Sequence, residues 1–182
     1  MALLDMAKQY LGDAQVAQIS QQLGIDPRIA QAAIAAALPM IVSGMARHAE
    51  QPQGADAIQQ AATAHEDVPD KVSDVLQAGA PADVGASGGL LSRIFGQHHD
   101  AVQQGVQRSS GLDAEKTKKL LMMLSPVVLG VLARRQFGGQ KATQVDPGQL
   151  AGALQQDART AQQQSPHVGG LLGQILGAAQ SP

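Results

Sequence analysis

The sequence predicts an all-α fold, a helical domain built from two internally duplicated helix-turn-helix-like units whose central helices are kinked by proline. Three observations carry this expectation. The chain holds 31 alanines and 26 glutamines among 182 residues and is only 2% aromatic, a composition that favours closely packed helices. No stretch alternates polar and apolar residues for long enough to argue for a strand. Residues 3–48 align without gaps on residues 90–135 at an offset of 87. Only 9 of those 46 positions are identical, but Gly24 falls on Gly111, Asp26 on Asp113 and Pro39 on Pro126. Joint repetition of a glycine, an aspartate and a proline at fixed spacing is the mark of a duplicated unit.

The punctuation sets the elements in order. Leu3, Leu4 and Ala7 open the first unit, and the stripe Leu90, Leu91, Ile94 and Phe95 opens the second; each is expected to dock in a groove of its own unit. In VAQISQQLGIDPRIAQAAI, Gly24 suits the left-handed position that ends a short helix. Asp26 then serves as N-cap, with Pro27 at the first helical position. Gly111 and Asp113 repeat this, with Glu115 favourably placed near the positive end of the next helix. Proline inside a helix removes a backbone bond, so Pro39 and Pro126 predict helical segments 27–38 and 40–48, and again 114–125 and 127–137. Alanine-rich IAQAAIAAAL facing bulkier TKKLLMMLSP predicts that the two central helices pack on each other across a pseudo-twofold. Gly44 and Gly130 are placed to allow close backbone contact.

Loops are expected over 49–56, 77–89 and 136–148, where Gly, Pro and polar residues cluster. AIQQAATAHE and VPDKVSDVLQ read as two short polar helices. Asp146-Pro147 starts a further helix through Gln155-Gln156, with a break over 162–166, and Asp100 reads as an N-cap. The domain plan is a first repeat over 1–76, a linker over 77–89, a second repeat over 90–163 and an apolar helix segment over 164–182. The expected core comprises Leu23, Ile25, Ile29, Ile34, Leu38, Ile41, Leu112, Leu121, Leu124, Val128 and Leu132.

Composition also narrows function. A net charge of −2 with a pI near 6.2 lacks the basic footprint of a general nucleic-acid binder. The absence of cysteine removes disulfides, zinc–thiolate sites and thiol chemistry. No secretory leader is expected at the start, and the longest apolar run, LLMMLSPVVLGVLA, falls short of the ~20 residues that span a bilayer. The segment around Gly24 has the layout of a DNA-reading helix-turn-helix, but its second helix offers base edges only Arg28 and Gln31 before turning apolar. Its counterpart offers Lys116, Lys118 and Lys119 to phosphates. His98-His99-Asp100 is the densest histidine cluster, and zinc would need convergent help from His48, His65 or His167. His65-Glu66-Asp67 reads as an exposed turn, and Ser109-Ser110 has no base at a recognisable spacing. Nucleophile-elbow, phosphate-loop, dinucleotide and HExxH motifs are all missing. The expectation is therefore no catalytic residue, no cofactor and no metal.

The end of the chain carries the one candidate interaction element. VGGLLGQILG repeats the GGLLxxI of SGGLLSRIFG at an offset of 81, as the opening of a third unit with nothing after it. Leu171, Leu172, Ile175 and Leu176 form an apolar stripe on a helix too short to hold itself in water, so it must dock or fray. It could fold back on this chain, or enter a neighbour across the Pro- and Gln-rich hinge at 162–166, which would be a heterologous contact. The expected partners are thus the protein itself or another protein. The leading expectation is a non-catalytic cytoplasmic interaction or scaffold protein, with a DNA-associated regulator and an envelope-surface module as alternatives.

The stretch ISQQLGIDPRIAQAAIAAALPMIVSGM resembles the YidB-like family of bacterial domains of unknown function. Such domains carry a short helix, an L-G-hydrophobic-D turn, an Ala/Leu-rich helix, then L-P and an apolar segment. Residues 19–45 follow that run closely. Residues 106–132 follow it with Ser110 in place of Leu and Ser125 before the proline, which suggests a tandem copy. The resemblance implies an all-helical bacterial fold and brings no activity, cofactor or site residue with it.

Overall fold

The computed structural model describes residues 2–78, 91–138 and 146–164, and every regular element among them is helical. In order these are α1 (Leu3–Tyr10), α2 (Asp13–Leu23), α3 (Pro27–Ala49), α4 (Pro52–Ala64), a 3₁₀ turn at Val68–Asp70 and α5 (Val72–Ala78). Helical residues 91–95 and a 3₁₀ turn at Gly96–His98 follow, then α6 (His99–Ser110), α7 (Ala114–Phe137) and α8 (Pro147–Gln164).

The turn chemistry is as the sequence dictates. Gly24 and Gly111 sit at φ 64° and 70°, a left-handed conformation that costs residues with a Cβ. Asp26 accepts a hydrogen bond from the Arg28 N–H at 2.8 Å, and Asp113 accepts one from the Lys116 N–H at 2.8 Å. Each carboxylate thereby serves a backbone donor that the first helical turn leaves unpaired.

Packing is organised by the two long helices. Residues 36–46 of α3 and 120–133 of α7 are buried without interruption, so the apolar run of the sequence is a core helix. α3 packs most extensively along α8, then along α6, α2, α4 and α7. α7 packs against α4, α1, α3 and α6. One hydrophobic cluster therefore runs from Leu3 to Ala161; α8 of the second half lies on α3 of the first, and α4 of the first lies on α7 of the second. By length and composition α3 could also cross a membrane, but 78% of its most apolar window is buried inside this fold.

Several expectations are corrected. α3 and α7 run through Pro39 and Pro126 as continuous helices. The lost bond costs about 3 kcal/mol, which burial along 11 and 14 consecutive residues outweighs. The two central helices touch, but each makes its most extensive contact with a shorter helix of the other half. The loop expected over 49–56 shrinks to Glu50 and Gln51, because Pro52 starts α4 from a first-turn position that needs no N–H. VPDKVSDVLQ divides into a 3₁₀ turn and α5, and α8 continues past Gln156 to Gln164 because Leu150, Leu154, Ala158 and Ala161 keep its apolar stripe in register with the core. His98 rather than Asp100 holds the N-cap position of α6, with no side-chain capping bond, which puts Asp100 in its first turn. Ile29 is 46% exposed, because the first turn of α3 projects beyond its neighbours, and Ile25 and Leu112 are half-buried. The remaining residues of the expected core are buried.

Candidate functional site

The apolar stripes that open the two units are core elements. Leu3, Leu4 and Ala7 are buried, and α1 lies chiefly on α7 of the second half. Leu91, Ile94 and Phe95 are buried as well. Phe95 lies on α3 of the first half, against Gly44: a Cβ there would stand 2.8 Å from Phe95 Cδ1 and 2.7 Å from Val102 Cγ2. α1 thus packs chiefly on the other half, contrary to the expectation that it fills a groove of its own, and Phe95 of the second stripe reaches α3 of the first half. Gly130 also serves close approach, against the His65 carbonyl and Pro69 rather than against Gly44. The stripe Leu171, Leu172, Ile175 and Leu176 lies outside the described residues, as does Leu90.

A groove of about 300 Å³ opens where α1, α2 and α3 meet. Leu11, Val16, Ile34 and Leu38 supply its apolar wall, with Lys8 and Asp13 on its rim. Ala35, exposed on α3, keeps it open by its small size. The groove lies close to where α8 ends. Gln164, the last residue of α8, donates from Nε2 to Asp5 Oδ2 at 3.4 Å. Asp5 stands one turn before Lys8 on α1, a rise of about 4.5 Å.

The other sequence candidates have the following surroundings. The layout around Gly24 and Gly111 is a helix corner, and over residues 36–46 α3 is core rather than a face open to a DNA groove. Arg28, Gln31, Lys118 and Lys119 are exposed and Lys116 is half-buried. The Ser109 and Ser110 hydroxyls donate to the Gly105 and Val106 carbonyls at 2.9 and 2.6 Å. His65 Nδ1 lies 2.7 Å from the Ala61 carbonyl, and His99 Nδ1 lies 3.3 Å from Asp100 Oδ1. Among the described residues no three His, Asp or Glu side chains come together as a metal site, and His167 lies outside them.

His48 has a more particular setting. Its ring fills the space a side chain would need at Gly96, since a Cβ there would stand 2.5 Å from Nδ1. Burial pushes its pKa below the usual 6.5, and the neighbouring His98 pushes the same way, against a hydrogen bond to the Arg93 backbone.

Two charge clusters escaped the sequence reading. Asp157 on α8 is 2% exposed; it accepts the Leu3 N–H at 3.2 Å and pairs with Arg135 of α7. Arg134 donates to Asp70 and to Tyr10 Oη, and these hydrogen bonds, Asp70 first, raise its already high pKa. The sequence offered one clue, the paired arginines that close an otherwise apolar run and must find acceptors.

No curated protein and no solved structure matches the chain. Residues 5–135 match the bacterial family of unknown function DUF937, the YidB-like family, in one continuous span that takes in both halves. With the match running from α1 into the last turn of α7, the chain belongs to the DUF937 family of bacterial proteins.

Proposed function

We propose that this protein is a non-catalytic helical interaction protein that self-associates, the C-terminal stripe of one copy entering the α1–α3 groove of the next. The observation that carries this reading is the cross-unit docking of the stripes. α1, which carries Leu3 and Leu4, lies chiefly on α7 of the second unit, and Phe95 of the second lies on α3 of the first. Taken as an internal duplication, the chain uses this LLxxI-type element to join one unit to another. By the same logic the third such element, at Leu171, Leu172, Ile175 and Leu176, takes a unit of another copy as its partner. The groove of about 300 Å³ offers an apolar wall of suitable kind. The hydrogen bond from Gln164 to Asp5 brings the end of α8 to the groove's side of the molecule. Residues 165–170 then span at most about 20 Å, enough to reach a neighbour's groove from there. Such a contact is heterologous and closes into a ring or extends as a filament.

Size-exclusion chromatography with light scattering tests the proposal. The full chain should run as a multiple of 18.7 kDa. Leu172→Asp, which charges the stripe, and Ala35→Trp, which fills the groove, should each return it to monomer with unchanged helicity. A full-length chain that stays monomeric at millimolar concentration overturns the reading.

A further inference from the structure

Ser43, Arg47 and Glu50 share one face of α3, and Gln155, Arg159 and Gln162 face them from α8 at the matching i, i+4, i+7 spacing. The small residues Ala46 and Ala158 between them leave a cleft of about 240 Å³, apart from the α1–α3 groove. Ser43 is 2% exposed, and its hydroxyl has no hydrogen-bond partner among the described residues. That is unusual for a helical serine, which ordinarily turns back onto the preceding turn. Ser125, equally deep in α7, does so and donates to the Leu121 carbonyl at 2.6 Å. Buried polar groups are kept when something satisfies them.

The charges of the cleft indicate what that would be. Arg47 pairs with Glu50 at 3.4 Å, which offsets one positive charge within α3. Arg159 is exposed across the cleft with no acidic partner among the described residues. A hydroxyl, two side-chain amides and a planar guanidinium with a charge to spare form a donor set suited to an oxyanion. A guanidinium grips a carboxylate through two parallel N–H bonds, and the volume is that of a small metabolite rather than a drug-sized ligand. We propose that this cleft is a binding site for a small organic carboxylate, held by Arg159 and the flanking glutamines with the Ser43 hydroxyl at its floor.

Calorimetric titration of the full chain with succinate and citrate tests this, with sodium chloride at matched ionic strength and inorganic phosphate as controls. The expected result is saturable binding of a carboxylate over phosphate, lost in Arg159→Gln and weakened at least tenfold in Ser43→Ala. The second variant separates ligand binding from fold, because removing an unpartnered buried hydroxyl should leave the free protein as stable as before or more so. Failure of both carboxylates to bind overturns the proposal. So does equal response to chloride or phosphate, or Ser43→Ala binding as the parent does.

Discussion

Replacing Asp157 by alanine should be among the most damaging single changes in this protein. Its carboxylate joins three elements: it accepts the Leu3 N–H at the start of α1, pairs with Arg135 of α7, and is itself carried by α8. Ala2, the N-cap of α1, provides no side-chain cap, so Asp157 supplies from a distance what a local serine or aspartate would otherwise give. Removing it strands the Leu3 N–H, whose residue is 0% exposed; an unmet buried donor costs about 1–3 kcal/mol. Breaking a buried ion pair by deleting one partner costs about 3–5 kcal/mol, but the Arg135 side chain is 27% exposed and can recover part of its hydration. These terms overlap, and a net loss of about 3 kcal/mol follows. Asp157→Asn keeps an acceptor for Leu3 and should lose roughly half as much. Urea unfolding followed by circular dichroism at 222 nm measures both, with an unchanged m-value expected. A double-mutant cycle with Arg135→Met isolates the pair. Asp157→Ala within about 0.5 kcal/mol of the parent, the range of an ordinary surface change, would refute the reasoning.

Gly44→Ala should destabilise by about 1–3 kcal/mol through overpacking, since the new methyl meets Phe95 and Val102 at 2.8 and 2.7 Å; thermal melts check this, and helix propensity alone predicts the opposite sign. Gly24→Ala and Gly111→Ala have open space around the new Cβ, so each should lose only the left-handed backbone cost of about 1–2 kcal/mol, additively in urea titrations. The depressed pKa of His48 means that the unfolded chain takes up its proton first as pH falls. Its contribution to stability should be complete above pH 6.5, decline below that value, and level off once the folded-state ring is also protonated. Stability against pH for the parent and for His48→Gln tests this: the difference should vary in that window and be flat above it.

What the sequence disclosed follows the range over which each cause acts. Gly24, Asp26, Gly111 and Asp113 act within a turn, so their φ values and caps could be foreseen. The apolar run from Leu120 to Ala133 was legible as core because a sequence apolar all round belongs in an interior. Ile29 was misplaced because periodicity does not say how far a helix projects past its neighbours. The expected breaks at Pro39 and Pro126 failed because a local penalty was weighed without the burial that opposes it. The Asp157–Arg135 pair and the Arg134–Asp70 contact join residues 22 and 64 positions apart, and no spacing rule links them. The cleft between α3 and α8 was hidden for the same reason. Its two faces become one site only when the last helix of the second half lies on the long helix of the first.

Cross-linking between copies tests the self-association most directly, and the absence of cysteine makes it clean. One chain would carry Lys8→Cys at the groove rim and a second Gln174→Cys within the stripe, mixed under mild oxidation. Disulfides form only when Cα atoms come within about 7 Å. The account predicts a disulfide-linked pair of unlike chains, abolished when Ala35→Trp is added to the Lys8→Cys chain. Mixed single variants that stay separate, while a chain carrying both cysteines closes on itself, would contradict it.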